Sequence, residues 1–182
     1  MRFVSVTRAL SPYIDYSRIP DPVLAVACQR GQAVHTVCAG YAKKIWTPAL
    51  AAEWQGYFKS FRGWFDEYVR SVVFVEKKFS DDTFGFTGRP DLGVVMMDGV
   101  RTIVDLKTPV QEGPTWKAQL GAYKHLANDH YKRQFERALS LRLRPNGGRA
   151  LASVCEPGVD DFTAFTWALF CYRYFIKGEV KQ

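Results

Sequence analysis

The spacing of apolar residues divides the chain into blocks of different period. From about Val23 to Lys44 the chain is rich in Ala, Val and other small residues, which predicts a tightly packed helix interrupted or capped near Gly31. A second helix is predicted from about Pro48 to Tyr68, where Leu50, Trp54, Tyr57, Phe58, Phe61, Trp64 and Phe65 recur three or four residues apart. Such an aromatic stripe is core in most proteins. The period then shortens: residues 71–79, SVVFVEKKF, form a β-branched and aromatic strand before the turn-prone Ser80-Asp81-Asp82. Further strands are predicted over about 85–96 and 100–108, joined near Asp98-Gly99. Pro114 opens a helix with Trp116, Gln119, Leu120 and Tyr123 on one face. Strands over 137–145 and about 149–156 follow, turned by Asn146-Gly147-Gly148, and a helix from about Val159 to Lys177 closes the chain. Residues 1–22, with Pro12, Pro20 and Pro22, predict an irregular arm without a helix. No internal repeat is seen, and 1–182 reads as one domain of α/β class.

Composition fits an ordinary globular domain: 182 residues, 47% hydrophobic and 15% aromatic, enough for one buried core. There is no run of about 18 apolar residues and no apolar segment of signal-peptide type, so a cytoplasmic protein without a membrane partner is expected. Cys28, Cys38, Cys155 and Cys171 include no CxxC pair and are expected to be free, reduced and mostly buried thiols. The net charge of +7 fits a polyanionic partner.

The chemistry concentrates in GRPDLGVVMMDGVRTIVDLKTP, residues 88–109. Side chains alternate along a strand, so Asp105 and Lys107 project from one face while Val104 and Leu106 project from the other. Charges on so apolar a strand are costly unless paired or bound to a metal. The position of Asp91 depends on the hairpin. A two-residue loop, Asp98-Gly99, would oppose Asp91 to Leu106 and turn it away from Asp105. A three-residue loop, Met97-Asp98-Gly99, with Gly99 left-handed, opposes Met96 to Val100 and Asp91 to Asp105, with Cα atoms about 5 Å apart. The three-residue loop, or an equivalent bulge, is the expectation.

Pro90-Asp91, thirteen intervening residues and Asp105-Leu106-Lys107 resemble the signature of the PD-(D/E)XK nuclease superfamily. His35 on an upstream helix, the strand acid Glu76, and Gln119 with Tyr123 on the following helix resemble its RecB-like exonuclease branch, in motif order over roughly residues 30–127. The resemblance implies a restriction-endonuclease-like fold, a mixed central β-sheet flanked by α-helices. It also implies a Mg2+- or Mn2+-dependent deoxyribonuclease, most simply an exonuclease, serving DNA repair, DNA recombination or phage-type DNA processing. His35, Asp91, Asp105 and the Leu106 carbonyl would hold the ion, with Glu76 on a bound water or a second ion. These donors suit hard cations. Lys107 would orient the attacking water and stabilise negative charge, and Gln119 and Tyr123 would border it and contact substrate. One branch of the superfamily carries an iron-sulfur cluster, but Cys155 and Cys171 lie sixteen apart with no third cysteine beside them, so no cluster is expected. A catalytically inactive nucleic-acid-binding module of the same fold, acting as a subunit of a DNA-processing complex, is the alternative. A homo-oligomer and a recombination or repair partner protein are both compatible with it.

Each residue also has a plainer reading. His35 alone would be a hydrogen-bonded core histidine, Asp105 and Lys107 a structural ion pair, Asp91 a turn residue and Glu76 a solvated strand edge. Gln119 and Tyr123 could serve packing, and His125 and His130 read as surface residues. The surplus of bases falls between Tyr131 and Arg149, where Lys132, Arg133, Arg137, Arg142, Arg144 and Arg149 face the single acid Glu136. Arg142, Arg144 and Arg149, with Lys43 and Lys44, are the expected contacts to phosphates, beside the active site.

Overall fold

The computed structural model describes residues 3–109, 111–132, 134–155 and 159–176. A five-stranded mixed sheet lies at its centre, in the order β2-β5-β6-β7-β8: β2 Val69–Val75, β5 Leu92–Met96, β6 Arg101–Lys107, β7 Arg137–Arg142 and β8 Leu151–Cys155. Within this sheet β6 and β7 are the parallel pair, joined by the crossover helix α4, Trp116–His130, and the other neighbours are antiparallel. A small second sheet orders β1 (Val4–Ser5), β4 (Phe86–Gly88) and β3 (Phe79–Asp81) as β1-β4-β3.

The central strand β6 shows why the sheet is covered on both faces. Ile103 and Val104 are consecutive, point to opposite sides, and are both fully buried, each worth about 2 kcal/mol of apolar burial. Val104 and Leu106 pack with Leu92, Val94, Leu139 and Leu141 beneath α2 (Asp21–Lys43) and α3 (Gln55–Tyr68). Ile103 packs with Phe74, Leu120, Tyr123 and Phe165 beneath α1 (Val6–Leu10), α4 and α5 (Val159–Cys171). Among the described residues no helix is long and apolar enough to cross a membrane.

Several elements differ from the sequence expectation. The arm is not irregular: Ser5 Oγ accepts the Arg8 N–H at 3.2 Å as the N-cap of α1, whose Val6, Ala9 and Leu10 are buried. Spacings of three and four were present there, but five residues are too few to stand out. Gly31 does not interrupt α2, which runs on to a left-handed cap at Lys44 (φ 57°). The helix predicted from Pro48 begins at Gln55, after a short 3-10 turn at Ala52–Trp54. The strand predicted over 85–96 is two strands in two sheets. Pro90, which lacks an N–H, falls at the break, and β4 ends before it while β5 starts after Asp91. The strand over 71–79 is likewise divided after Val75 by Glu76, at φ 48°. Strands β7 and β8 are shorter than predicted, with Gly147 left-handed in the turn (φ 75°). Glu156 and Lys177, at the predicted ends of β8 and α5, lie outside the described residues.

Two of the four thiols, Cys38 and Cys155, are buried, whereas Cys28 and Cys171 are exposed. His125 is half-buried rather than exposed. Its ring stacks on Phe162 at 3.9 Å between centroids and bonds to Asp81 Oδ2 at 2.7 Å. His130 is exposed, with its ring within 2.9 Å of Lys77 Nζ.

Candidate active site

The hairpin between β5 and β6 sets the geometry. Met96 N–H donates to the Val100 carbonyl at 3.0 Å and Gly99 is left-handed (φ 86°), so the loop is Met97-Asp98-Gly99. The register pairs Val95 with Arg101 and Leu92 with Val104, and its continuation brings Asp91 opposite Asp105. Asp91 stands just before β5, at the end of the sheet, where helices from either face can reach it. His35 comes from α2, on the Leu106 side, and its Nδ1 lies 3.0 Å from Asp91 Oδ1. The second oxygen, Oδ2, accepts the Leu106 N–H at 2.6 Å. Glu76 joins through the backbone: its N–H donates to the Asp91 carbonyl at 2.8 Å, and its carboxylate lies 3.9 Å from Lys43 Nζ. A left-handed non-glycine residue is uncommon and costs on the order of 1 kcal/mol; here it turns the chain out of β2 beside Asp91.

Asp105 and Lys107 project towards α4. Asp105 is 4% exposed, and its Oδ2 forms an ion pair with Lys107 Nζ at 2.5 Å without completing a hydrogen bond. Lys107 Nζ donates to Gln119 Oε1 at 2.8 Å, and Gln119 Nε2 donates to the Tyr123 hydroxyl at 3.0 Å. The Trp116 ring, 5.2 Å from Lys107 Nζ, adds a cation–π contact. Trp116 and Gln119 meet the lysine, and Tyr123 meets Gln119, because the three share one face of α4. The role of Trp116 was not read from the sequence, although its three-residue step from Gln119 placed it on that face.

Electrostatics follow from burial and pairing. Burial raises Asp105, opposed by the Lys107 charge. Burial would lower His35, but the adjoining Asp91 carboxylate overrides it and raises the imidazole to about 9. Tyr123 is raised by burial and by the charge of Asp105 and stays a phenol. Cys38 is pushed up by burial and by Asp91, which marks it as inert rather than nucleophilic.

No family model matches the chain, and no curated protein matches it. Among solved structures, that of a "Putative exonuclease" from Eubacterium rectale aligns with 93% of this chain and 78% of its own, at TM-score 0.55 and 12% identity. The fold is restriction-endonuclease-like. A second structure, SSO0001, aligns with 93% of this chain and 74% of its own at TM-score 0.45 and 16% identity.

In this fold the donor types at the site, an imidazole, the half-buried Asp91 carboxylate and a buried Asp105 oxygen lacking a hydrogen bond, fit a hard divalent cation in kind. Their present directions do not: among the described residues no three His, Cys, Asp or Glu side chains converge on one point. Asp91 is turned to His35 and the Leu106 N–H, and Asp105 to Lys107. A cleft of about 360 Å3, lined by Gly31, Gln32, His35, Thr36 and Glu76, opens the site to solvent.

The predicted phosphate contacts are dispersed. Arg142 pairs with Lys107 in the strand register and so shares its end and face of the sheet. Arg144 follows it, its N–H held by Ser60 Oγ at 3.1 Å. Lys43 lies by Glu76, and Lys44 caps α2. Arg149 is 3.4 Å from Glu67 and lies over the Tyr68 ring. Arg137 pairs with Asp98 by the β5–β6 hairpin, at the other end of the sheet. The basic stretch from Tyr131 to Arg149 is therefore divided between two ends of the sheet. Arg133 lies outside the described residues.

Proposed function

We propose that this chain is a divalent-metal-dependent DNA nuclease of the PD-(D/E)XK superfamily, similar to its RecB-like exonuclease branch. The observation that carries the reading is the buried face shared by Asp105 and Lys107, with Asp91 brought beside it by the three-residue hairpin. The Eubacterium rectale neighbour, named a putative exonuclease, supports it at the level of fold.

His35, Asp91, Asp105 and the Leu106 backbone would hold Mg2+ or Mn2+, with Glu76 as an outer carboxylate. When bound, the ion supplies Lewis-acid polarisation of the phosphate and a more acidic water. Lys107 directs its positive charge at the phosphoryl oxygens, where negative charge builds as water adds to phosphorus and the ester oxygen departs. Gln119 positions Lys107 by accepting a hydrogen bond from its ammonium at 2.8 Å, and Tyr123 positions Gln119 by accepting one from its amide. The direct test is a manganese-dependent cleavage assay on circular, linear, blunt-ended and single-stranded DNA. Cleavage restricted to substrates with ends supports the exonuclease, and no cleavage of any of them overturns the nuclease.

One observation favours a second reading, a binding module without catalysis: each carboxylate is already paired within the site, Asp91 with His35 and Asp105 with Lys107. A manganese titration of thermal stability separates the two. At about 100-fold above the dissociation constant, a native-state ligand adds about 2.7 kcal/mol, a rise of roughly 5–10 °C for a chain of this length. The rise is expected in the wild type and absent in Asp91→Ala; a wild type indifferent to manganese supports the binding module.

A further inference from the structure

Tyr123 belongs to two places at once. Its hydroxyl accepts from Gln119 on the Lys107 side, and the residue also lines a separate cleft of about 360 Å3 with Ser5, Thr7, Lys78, Thr87 and Arg89. Among the described residues no carboxylate lines this cleft, in contrast to the acidic centre beside it. Its two bases are exposed, and among the described residues neither has an ion-pair or hydrogen-bond partner. The two share the cleft with three hydroxyl groups and an aromatic side chain.

Their positions are fixed by the same backbone that builds the acidic centre. Glu76 and Asp91 are tied by the 2.8 Å bond from Glu76 N–H to the Asp91 carbonyl. Lys78 follows Glu76 by two residues, and Arg89 precedes Asp91 by two, so each lies within about 7 Å of chain path from a site acid. Gly88 holds β4 hard against α4, since a Cβ there would meet Leu126 at 2.6 Å and Tyr123 at 2.9 Å. That closeness sets the Arg89 backbone beside Tyr123. Acids thus occupy the inner positions and bases the outer ones, with the Tyr123 side chain between the cleft and Lys107.

We propose that Lys78 and Arg89, with the hydroxyl groups of Ser5, Thr7 and Thr87, seat a backbone phosphate of the nucleic-acid strand next to the bond that is cleaved. The proposal rests on the nuclease reading and deepens it. A phosphodiester fits because it offers several acceptor oxygens and one negative charge, which two cations and a set of hydroxyl donors satisfy together. The site is independent of sequence, as contacts to the backbone are.

The test is fluorescence anisotropy with labelled single-stranded and duplex oligonucleotides, in EDTA and across a salt series, for wild type, Lys78→Ala, Arg89→Ala and the double variant. Arg70→Ala serves as control, an exposed base near the hairpin end of β2. Each site substitution is expected to lower the slope of log affinity against log salt by about 1 and to weaken binding about five- to tenfold at 0.1 M salt. Arg70→Ala is expected to change neither, and the double variant to keep the manganese-induced thermal shift. A double variant with wild-type slope and affinity overturns the phosphate seat, as does an equal loss in Arg70→Ala, and both leave the nuclease standing if the wild type cleaves DNA. A wild type that neither binds nor cleaves DNA overturns both.

Discussion

Asp105→Ala and Lys107→Ala are each expected to lower manganese-dependent DNA cleavage by about 10²- to 10³-fold, the usual cost of removing one aligned electrostatic group from a reacting centre. DNA binding measured without metal is expected to survive in both, because neither residue is exposed enough to act as a general backbone contact. The two variants do not perturb the fold equally. Removing Lys107 leaves Asp105, 4% exposed, without its ion pair, and an unpaired buried carboxylate takes up a proton or destabilises the chain by several kcal/mol. Removing Asp105 leaves Lys107 with Gln119 and the Trp116 ring, a milder loss. Asp105→Asn keeps the shape and removes only the charge, so it is the variant in which lost cleavage cannot be blamed on unfolding. Cleavage by Asp105→Asn at the wild-type rate, with an unchanged melting temperature, would remove this face from the chemistry.

The strand register at the candidate site was more legible in the sequence than the strand boundaries around it. Strand alternation alone put Asp105 and Lys107 on one face, and loop length alone decided where Asp91 stands; both are local rules with a period of two, and the register agrees with them. What the sequence hid depends on contacts distant along the chain. The split of 85–96 into β4 and β5 follows from β4 pairing with β1 and β3, which no local pattern reveals. His125 read as surface because its partners, Asp81 and Phe162, lie 44 and 37 residues away. The basic stretch failed differently. Charge counted along the sequence treats Arg137 and Arg142 as neighbours, but the four residues between them span the sheet from the hairpin end to the site end. Lys78 and Arg89 went unnoticed for the converse reason, since they are eleven residues apart in sequence and meet only because β3 and β4 pair.

Gly93→Ala is expected to destabilise the fold by about 3 kcal/mol, at the upper end of what overpacking a core costs, with a melting temperature lower by roughly 6–12 °C. Gly93 lies on β5 two residues beyond Asp91 and on the same side, paired with Ile103 and covered by the Phe74 ring from β2. A Cβ at this position would stand 2.2 Å from Phe74 Cε1 and 2.6 Å from Cδ1. The ring has little room to withdraw, because Phe79, Tyr131 and Phe135 close around it at centroid distances of 5.1, 6.0 and 5.8 Å. The strain must pass instead into the β2–β5 pairing, which already carries irregularities between Val72 and Phe74 and ends at the Glu76–Asp91 bond. The same variant is therefore expected to bind manganese more weakly, although it touches no proposed ligand. Phe74→Leu in the Gly93→Ala background makes room for the methyl group and is expected to restore part of both losses. If Gly93→Ala melts like the wild type, Phe74 does not pack over this position, and the link between the β2–β5 pairing and Asp91 fails with it.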